Sequence, residues 1–194
     1  MIPSLFERDV LRYNLVQELT AQAEGLPVEL LVLLDNRVQS TGRKRQALLD
    51  LAAGDFVTCL DDDDFVSADY VSTILEQARL VPNADVIAFN SEATLDSGNP
   101  FVVRASIMFE NEQARQEVGR WVDIRRKPWH WCAWSRRLAK HAVFPDTCVD
   151  DDWAWVRQML PTVQVEARVD RVLHHYRYSS GASRSNRGDS TTVS

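Results

Sequence analysis

The sequence predicts an α/β domain in which helices flank a mostly parallel, Rossmann-like central sheet. Short apolar runs alternate with stretches of helical periodicity over residues 1–90. One of those runs, Phe56 to Leu60, ends directly in four consecutive acids, Asp61 to Asp64. The carboxyl ends of parallel strands are where open α/β sheets bind ligands. At 194 residues and 45% hydrophobic, the chain suits one domain with a sizeable core.

The first half of the chain follows a β-α-β-α-β order, which implies right-handed crossovers and parallel strands. The predicted segments are the end of a strand at Ile2-Pro3, a helix from Glu7 to about Gln22, a strand from Val28 to Leu34, a helix over Ala47 to Ala52 opened by residues 42–46, and the strand Phe56 to Leu60. Gly25 and Pro27 end the first helix. The first strand is almost missing, so we expect either a trimmed strand or a partner chain, as in a homo-oligomer, at this sheet edge.

In the second half, Ser67 is the expected N-cap of a helix from Ala68 to Leu80, and Asp85 to Phe89 predicts another strand. Residues 93–109 are typical of a hairpin with a turn at 96–99, while 110–127 show no clear pattern. Residues 179–194 are rich in Ser, Arg, Gly and Asn, which predicts a flexible tail.

Charge and cysteine usage narrow the class of protein. A net charge of −6 argues against a general polyanion binder. The three cysteines, Cys59, Cys132 and Cys148, show no metal-ligand spacing and are expected to be buried thiols in a reducing compartment. No stretch approaches the length of a membrane span. We therefore expect a cytoplasmic protein.

The acidic run predicts a cation site. Four neighbouring carboxylates cannot all ionise cheaply without a counter-ion. Mg²⁺ or Mn²⁺ with oxygen ligands meets that need, especially where phosphates share the site. A solvated acidic turn is the alternative, but the run follows a predicted buried strand directly.

Two further clusters carry chemistry. Asp150, Asp151 and Asp152 open a predicted helix that ends near Met159, and a carboxylate there could cap the helix or serve as a general base. The segment from Val172 to Tyr178 contains two adjacent histidines, and strand alternation places His174 with Tyr176 on one face and His175 with Arg177 on the other.

In this order, the features resemble family 2 glycosyltransferases of the GT-A fold over nearly the whole chain. The matching segments are Ile2-Pro3-Ser4, the strand ending in Asp35, residues 42–46, residues 53–56 leading to the acidic run, Phe144-Pro145-Asp146, Asp151-Asp152-Trp153, and Tyr176-Arg177 with the serines that follow. The resemblance implies a metal-dependent enzyme that moves a sugar, with inversion, from a nucleotide diphosphate sugar to an acceptor hydroxyl. The donor is expected to be a UDP-sugar.

The resemblance also implies roles for single residues. Asp61 and Asp63 match the DxD motif and would hold Mn²⁺ or Mg²⁺ with His175 as a third ligand. The donor-binding residues would be Pro3, Ser4, Asp35, Arg45, Asp61, Asp62 and Arg177, with Ser180 and Ser183 in a loop closing over the diphosphate. Asp152 matches the catalytic base, with Asp151 as its rival. Residues 1–178 would form the domain, with a donor half over about 1–90 and an acceptor half over 91–178.

The acceptor is the least defined partner in the sequence. Trp131 and Trp134, in a tryptophan-rich stretch, are candidates for an acceptor-binding wall, with core packing as the alternative. The acceptor could be a glycan or small molecule, or a hydroxymethylated base in DNA whose phosphates contact Arg125, Arg126, Lys127 and the arginines of the tail.

Two hypotheses from other classes are a nucleotidyltransferase and a non-catalytic sugar-nucleotide-binding module. A nucleotidyltransferase would normally have a Gly-rich, basic loop just after the first strand, and residues 4–8 contain no glycine. A binding module would not need Asp151 and Asp152.

Overall fold

The structure, a computed structural model, describes residues 1–96, 98–110, 113–117 and 120–178. The strands are β1 (Ile2–Leu5), β2 (Val32–Asp35), β3 (Phe56–Val57), β4 (Phe65–Val66), β5 (Val86–Leu95), β6 (Phe101–Ala105), β7 (Gln113–Glu117), β8 (Arg120–Arg126), β9 (Ala133–Ser135) and β10 (Glu166–Tyr178). The helices are α1 (Asp9–Ala23), α2 (Thr41–Leu51), α3 (Tyr70–Leu80), α4 (Arg136–Ala139) and α5 (Asp151–Met159), with short 3-10 turns at Phe6–Arg8 and Leu160–Thr162.

The strands form a parallel pair, β1 with β2, and a larger mixed sheet. In the larger sheet the order is β3-β9-β5-β6-β8-β7, while β10 runs parallel to β5 and antiparallel to β4. The predicted α/β class, with a central sheet flanked by helices, is confirmed. The sheet is more mixed than expected because β9 lies antiparallel between β3 and β5.

The first strand is present and places the acidic run. All four residues of β1 are buried. The backbone nitrogen of Met1 donates to the carbonyl of Thr58 (2.9 Å), and the N–H of Leu60 donates to the carbonyl of Met1 (3.1 Å). The segment that leads into Asp61 therefore lies along β1, on the side away from β2. The acids consequently emerge beside the carboxyl end of β1.

The helices pack around this core, and some of them begin at different residues from those predicted. α1 begins at Asp9, after the 3-10 turn, and it buries only Leu15 and Leu19 while Val10 and Leu11 are exposed. α3 begins at Tyr70 rather than Ala68, and Ser67 donates to the Asp69 side chain (2.9 Å) instead of capping the helix. The unassigned stretch 110–127 contains β7 and β8.

The predicted buried thiols are confirmed for Cys59 and Cys132, while Cys148 is half-buried, and all three are free. Within the described part of the chain, no helix has both the length and the apolar character needed to cross a membrane.

Candidate active site

Two cavities open at opposite ends of the strands. The larger, about 1000 Å³, lies at the amino ends of β2 and β3 with mainly apolar walls that include Val28, Val57 and Ile74. The smaller, about 330 Å³, lies at the carboxyl end of β1, and its volume is within the range of small-molecule sites. We place the candidate site in the smaller cavity because it gathers the charged residues. Its walls are Pro3, Ser4, Leu5, Arg8, Thr41, Lys44, Arg45, Asp61–Asp63, Cys148, Asp150–Asp152 and Tyr176–Tyr178.

The acidic run forms a tight turn in which the N–H of Asp61 donates to Asp64 Oδ2 (2.7 Å). Each carboxylate faces a basic or imidazole side chain. Asp61 accepts from Arg45 Nη2 (2.6 Å), and Asp62 contacts Arg8 Nη1 (2.8 Å) and accepts from Ser4 Oγ (2.6 Å). Asp63 accepts from Arg8 Nη2, and Asp64 lies 3.0 Å from His174 Nε2. Each of the four carboxylates is therefore in contact with at least one other side chain of the protein.

Charge compensation along the run is uneven. Burial raises the pKa of Asp63 to about 6, and the neighbouring charge of Asp61 adds to this more than Arg8 offsets it. Burial would also raise the pKa of Asp61, but Arg45 and His130 outweigh it and the pKa is lowered. Asp63 is thus a carboxylate of the cavity whose burial and acidic neighbours are not offset by Arg8.

Arg45 joins the two acidic clusters. Its Nη2 donates to Asp61 and its Nη1 donates to Asp151 Oδ2 (2.7 Å), with only 3% of the residue exposed. Burial alone would lower the pKa of Arg45, but these two carboxylates outweigh it and raise the pKa. A guanidinium suits this role because its planar fork can contact two carboxylates at once.

A close approach of two elements brings Arg45 to Asp151. Ser40 caps α2 by accepting from the N–H of Arg43 (3.0 Å). The N–H of Gly42 donates to the carbonyl of Thr147 (3.0 Å). A Cβ on residue 42 would lie 1.9 Å from the Pro145 oxygen and 3.1 Å from Asp151 Cβ. Glycine therefore permits the contact between α2 and the start of α5.

Asp151 and Asp152 occupy the first turn of α5, as predicted, but in opposite environments. Asp151 is buried against Arg45, and burial raises its pKa. Burial would raise the pKa of Asp152 as well, but His130 and Arg45 outweigh it and lower that pKa well below its usual range. Asp152 Oδ2 lies 2.9 Å from His130 Nδ1 and accepts from Trp129 Nε1 (3.0 Å).

Asp35 and His175, two predicted site residues, do not line the cavity. Asp35 accepts from Lys44 Nζ (2.8 Å) and from the N–H of Gln39 (2.7 Å), which occupies both of its oxygens. His175 Nδ1 lies 3.3 Å from Glu92 Oε1, whereas His174 meets the acidic run.

A β-bulge precedes the two histidines in β10. The register of β10 against β5 shifts between Val169 and Val172 and again before His174. Leu173 and His174, which are consecutive, are both buried there. From His174 to Tyr178 the pairing with β5 is regular, which agrees with the predicted alternation of His174 and Tyr176 on one face and His175 and Arg177 on the other.

Trp131 and Trp134 are core residues rather than a cavity wall. Trp134 is fully buried and its indole N–H donates to the carbonyl of Trp129 (2.9 Å). Trp131 is 7% exposed and stacks on His174 with ring centroids 5.3 Å apart. The core-packing alternative thus describes both residues. The half-buried pair Trp129 and Trp153, stacked at 4.7 Å, lies nearer to Asp152.

The remaining predicted donor residues, Pro3, Ser4 and Arg177, do line the cavity. The guanidinium of Arg177 lies 4.2 Å from the centroid of the Phe65 ring. Ser180 and Ser183, predicted to close over the diphosphate, lie outside the described residues.

No site role was assigned from the sequence to Arg8, Lys44, His130 or His174. Lys44 lies within the matching segment 42–46, and His174 is the neighbour of the histidine that the resemblance selected. Arg8 and His130 lie 55 and 22 residues from their carboxylate partners, and no local pattern marks them. Among the residues that the structure describes, no three His, Cys, Asp or Glu side chains form a ready-made metal site.

Crystal structures of S. aureus TarS share this fold. TarS 1–349 in complex with UDP-GlcNAc matches with a TM-score of 0.63 at 12% identity, over 92% of this chain and 58% of that chain. TarS 1–349 in complex with UDP gives 0.59 at 14% identity, over 93% and 61%. TarS itself gives 0.59 at 12% identity, over 92% and 36%. No protein-family model and no curated protein sequence matches.

Identity this low establishes the fold alone, which is the Rossmann-like α/β fold of the TarS structures. The chain spans 58% of the length of TarS 1–349 in the UDP-GlcNAc complex.

Proposed function

We propose that this chain is a metal-dependent, inverting glycosyltransferase domain of family 2 that moves a sugar from a UDP-sugar to an acceptor hydroxyl. The observation that carries the proposal is the meeting of two acidic clusters across one cavity, joined by Arg45 at 2.6 Å from Asp61 and 2.7 Å from Asp151. One cluster would serve the donor and the other the acceptor. The likeness to TarS structures with UDP-GlcNAc and UDP supports a UDP-sugar as the donor.

On the donor side, Asp61 and Asp63 would hold Mn²⁺ or Mg²⁺. Both line the cavity, their side chains are 33% and 32% exposed, and the raised pKa of Asp63 fits a carboxylate that lacks a full counter-charge. When bound, the cation supplies positive charge to the leaving diphosphate. Lys44 and Arg177 line the same cavity and would add to that charge. His175 would need a different position from the one beside Glu92 to act as a ligand.

On the acceptor side, Asp152 would be the base. Its side chain is 22% exposed and lines the cavity, while that of Asp151 is 4% exposed and bound to Arg45. Its carboxylate takes the acceptor proton as the acceptor oxygen bonds to the anomeric carbon and the bond to the diphosphate breaks. A single base and in-line displacement give inversion without a covalent sugar–enzyme intermediate. Residues 1–90 would then form the donor half and 91–178 the acceptor half.

The test is calorimetric binding of UDP with and without Mn²⁺, compared with CDP and ADP. We expect UDP to bind in the presence of Mn²⁺ and Asp63→Ala to abolish that binding. Asp50→Ala, which removes an exposed carboxylate of α2, is the matched control and should bind normally. Undiminished metal-dependent UDP binding by Asp63→Ala would refute the cation assignment. Failure of the wild type to bind any nucleotide diphosphate would refute the donor class.

A further inference from the structure

Arg8 occupies an unusual place between β1 and α1. It ends the 3-10 turn that follows β1, and its guanidinium reaches back to two adjacent carboxylates of the acidic run. Nη1 lies 2.8 Å from Asp62 Oδ1, and Nη2 donates to Asp63 Oδ2. One planar group thus contacts both carboxylates, through an ion pair with Asp62 and a hydrogen bond to Asp63.

The two ends of this contact differ in their surroundings. The Asp62 side chain is 2% exposed and also accepts from Ser4 Oγ (2.6 Å), so it belongs to the interior. The Asp63 side chain is 32% exposed and lines the cavity. The contact with Asp62 therefore anchors Arg8, while the contact with Asp63 lies where a ligand has access.

A cation that binds Asp63 has to contend with this guanidinium. Arginine stays charged at every accessible pH, so Arg8 can move away from Asp63 or share it, but it cannot be neutralised in place. A divalent ion requires carboxylate oxygens at about 2.0–2.6 Å, and it repels a guanidinium bonded to the same carboxylate. Binding of the ion is thus opposed by the contact that Arg8 already makes.

We propose that Arg8 is the residue that sets the cation affinity of the donor site, because it holds the place on Asp63 that a divalent ion must take. The proposal rests on the proposed function, which assigns a cation to Asp61 and Asp63. It adds that the site contains its own competing cation. Without a divalent ion, Arg8 supplies part of the positive charge that Asp62 and Asp63 need and holds the turn in place.

The experiment measures Mn²⁺ binding by calorimetry without nucleotide, together with thermal unfolding in EDTA and in Mn²⁺. Arg8→Met keeps most of the side-chain length but removes the charge. We expect it to bind Mn²⁺ about 10-fold more tightly than the wild type and to be less stable in EDTA, with Mn²⁺ restoring much of the loss. Arg43→Met is the matched control, since Arg43 is an exposed arginine of α2 that lies 3.6 Å from Asp146, and it should leave Mn²⁺ binding unchanged.

Arg8→Lys is a second variant in case Arg8→Met does not fold. A lysine keeps one charge but cannot contact both carboxylates in the same planar geometry. We expect its Mn²⁺ affinity to lie between those of the wild type and the charge-free variant. Unchanged or weaker Mn²⁺ binding in both folded variants would overturn the proposal, as would unchanged binding in the lysine variant if it alone folds.

The experiment distinguishes failure of the proposed role of Arg8 from failure of the proposed glycosyltransferase function. Tight Mn²⁺ binding by Arg8→Met, without UDP-sugar turnover in any variant, would support the role of Arg8 and count against the glycosyltransferase. Turnover with equal Mn²⁺ affinity in the wild type and both Arg8 variants would support the enzyme and exclude the role of Arg8.

Discussion

Asp151 and Asp152, at the start of α5, have different charged neighbours. This difference helps to decide which of the two would serve as the proposed base. Asp151 is bound by the buried Arg45, whereas Asp152 lies beside His130 and the indole N–H of Trp129. The pKa of Asp151 is raised by burial and that of Asp152 is lowered, chiefly because His130 outweighs burial. Basicity alone favours Asp151, but access to the cavity favours Asp152. Basicity and access to the cavity therefore predict different residues as the base, and mutation of each residue can distinguish them.

We expect Asp152→Asn to keep the fold and UDP binding while it lowers turnover by about 10²–10⁴-fold, the usual value of a positioned base. Asparagine has nearly the same shape, so stability should change little. Asp151→Asn should act more weakly, through the orientation of Arg45. The test measures steady-state turnover and, by calorimetry, UDP affinity for both variants. Near-normal turnover in Asp152→Asn with an inactive Asp151→Asn would move the base by one residue.

His130 gives a second prediction at the residue scale. Because His130 lowers the pKa of Asp152, His130→Phe should let that pKa rise toward its ordinary value near 4. A base is active only when deprotonated, so the acidic limb of the pH–rate profile should move to higher pH. The control is His141→Phe, which replaces an exposed histidine after α4. A uniform drop in turnover at every pH, without movement of that limb, would indicate a purely structural His130.

Sequence reasoning located the site residues that stand at segment ends. Asp61, Asp63, Asp151 and Asp152 all line the cavity, because each follows a strand or opens a helix. It could not supply their partners. The contact between Arg45 and Asp151 spans 106 residues, and a pattern read along the chain does not contain it.

At the scale of elements, the approach of α2 to α5 depends on Gly42. In an open helix position, Gly42→Ala would stabilise the protein by up to about 1 kcal/mol through helix propensity. Here the new Cβ would lie 1.9 Å from the Pro145 oxygen, so we expect destabilisation of about 1–3 kcal/mol instead. Urea unfolding measures the sign directly. A more stable Gly42→Ala would show that the two elements separate easily.

Asp85 anchors the start of β5. Its carboxylate accepts from the N–H groups of Gln164 and Val165 (2.8 and 3.0 Å) and from Arg137 (2.5 Å). Burial would raise its pKa, but these hydrogen bonds outweigh it and lower the pKa. A carboxyl with a lowered folded-state pKa stabilises the fold above its unfolded pKa, near 3.9, and loses that contribution as pH falls.

Asp85→Asn should therefore lower the free energy of unfolding by about 2 kcal/mol at pH 7. The difference from the wild type should begin to shrink near pH 4, where Asp85 of the unfolded chain becomes protonated, and should be lost as the pH falls through the lower pKa of the folded state. Urea unfolding at pH 7 and at about pH 2 checks both halves of the expectation. An equal difference at the two pH values would show that the charge of Asp85 is not what matters.

Periodicity predicted the type of most elements better than their bounds. The strand predicted at Val28 begins at Val32, because β1 supplies its first partner at Ile2. The strand predicted as Phe56 to Leu60 pairs as a ladder only at Phe56 and Val57, where β9 lies beside it. Strand limits depend on the neighbour, and the neighbour is not visible in the local pattern.

For the whole molecule, the sequence predicted the α/β class and the alternation of the first half. It did not predict that β9 enters the sheet between β3 and β5, or that β10 runs parallel to β5. These pairings join segments far apart in the chain. The position of β10 also brings Tyr176 and Arg177 to the cavity that contains Asp61 and Asp151.

The position of Arg45 between the two acidic clusters has a consequence for the order in which substrates would bind. If the two clusters bind donor and acceptor as proposed, a single side chain bonded to both would link the two binding equilibria, because a change in its contact with Asp61 would also change its contact with Asp151. Linkage is reciprocal, so UDP should alter acceptor affinity by the same factor as the acceptor alters UDP affinity. We expect a factor of about 5 or more in the wild type and a factor near 1 in Arg45→Met. Calorimetry of each ligand in the presence of the other measures it, and full coupling without Arg45 would place the connection elsewhere. An enzyme linked in this way would take its substrates in a preferred order, with one arginine as the physical basis of that order.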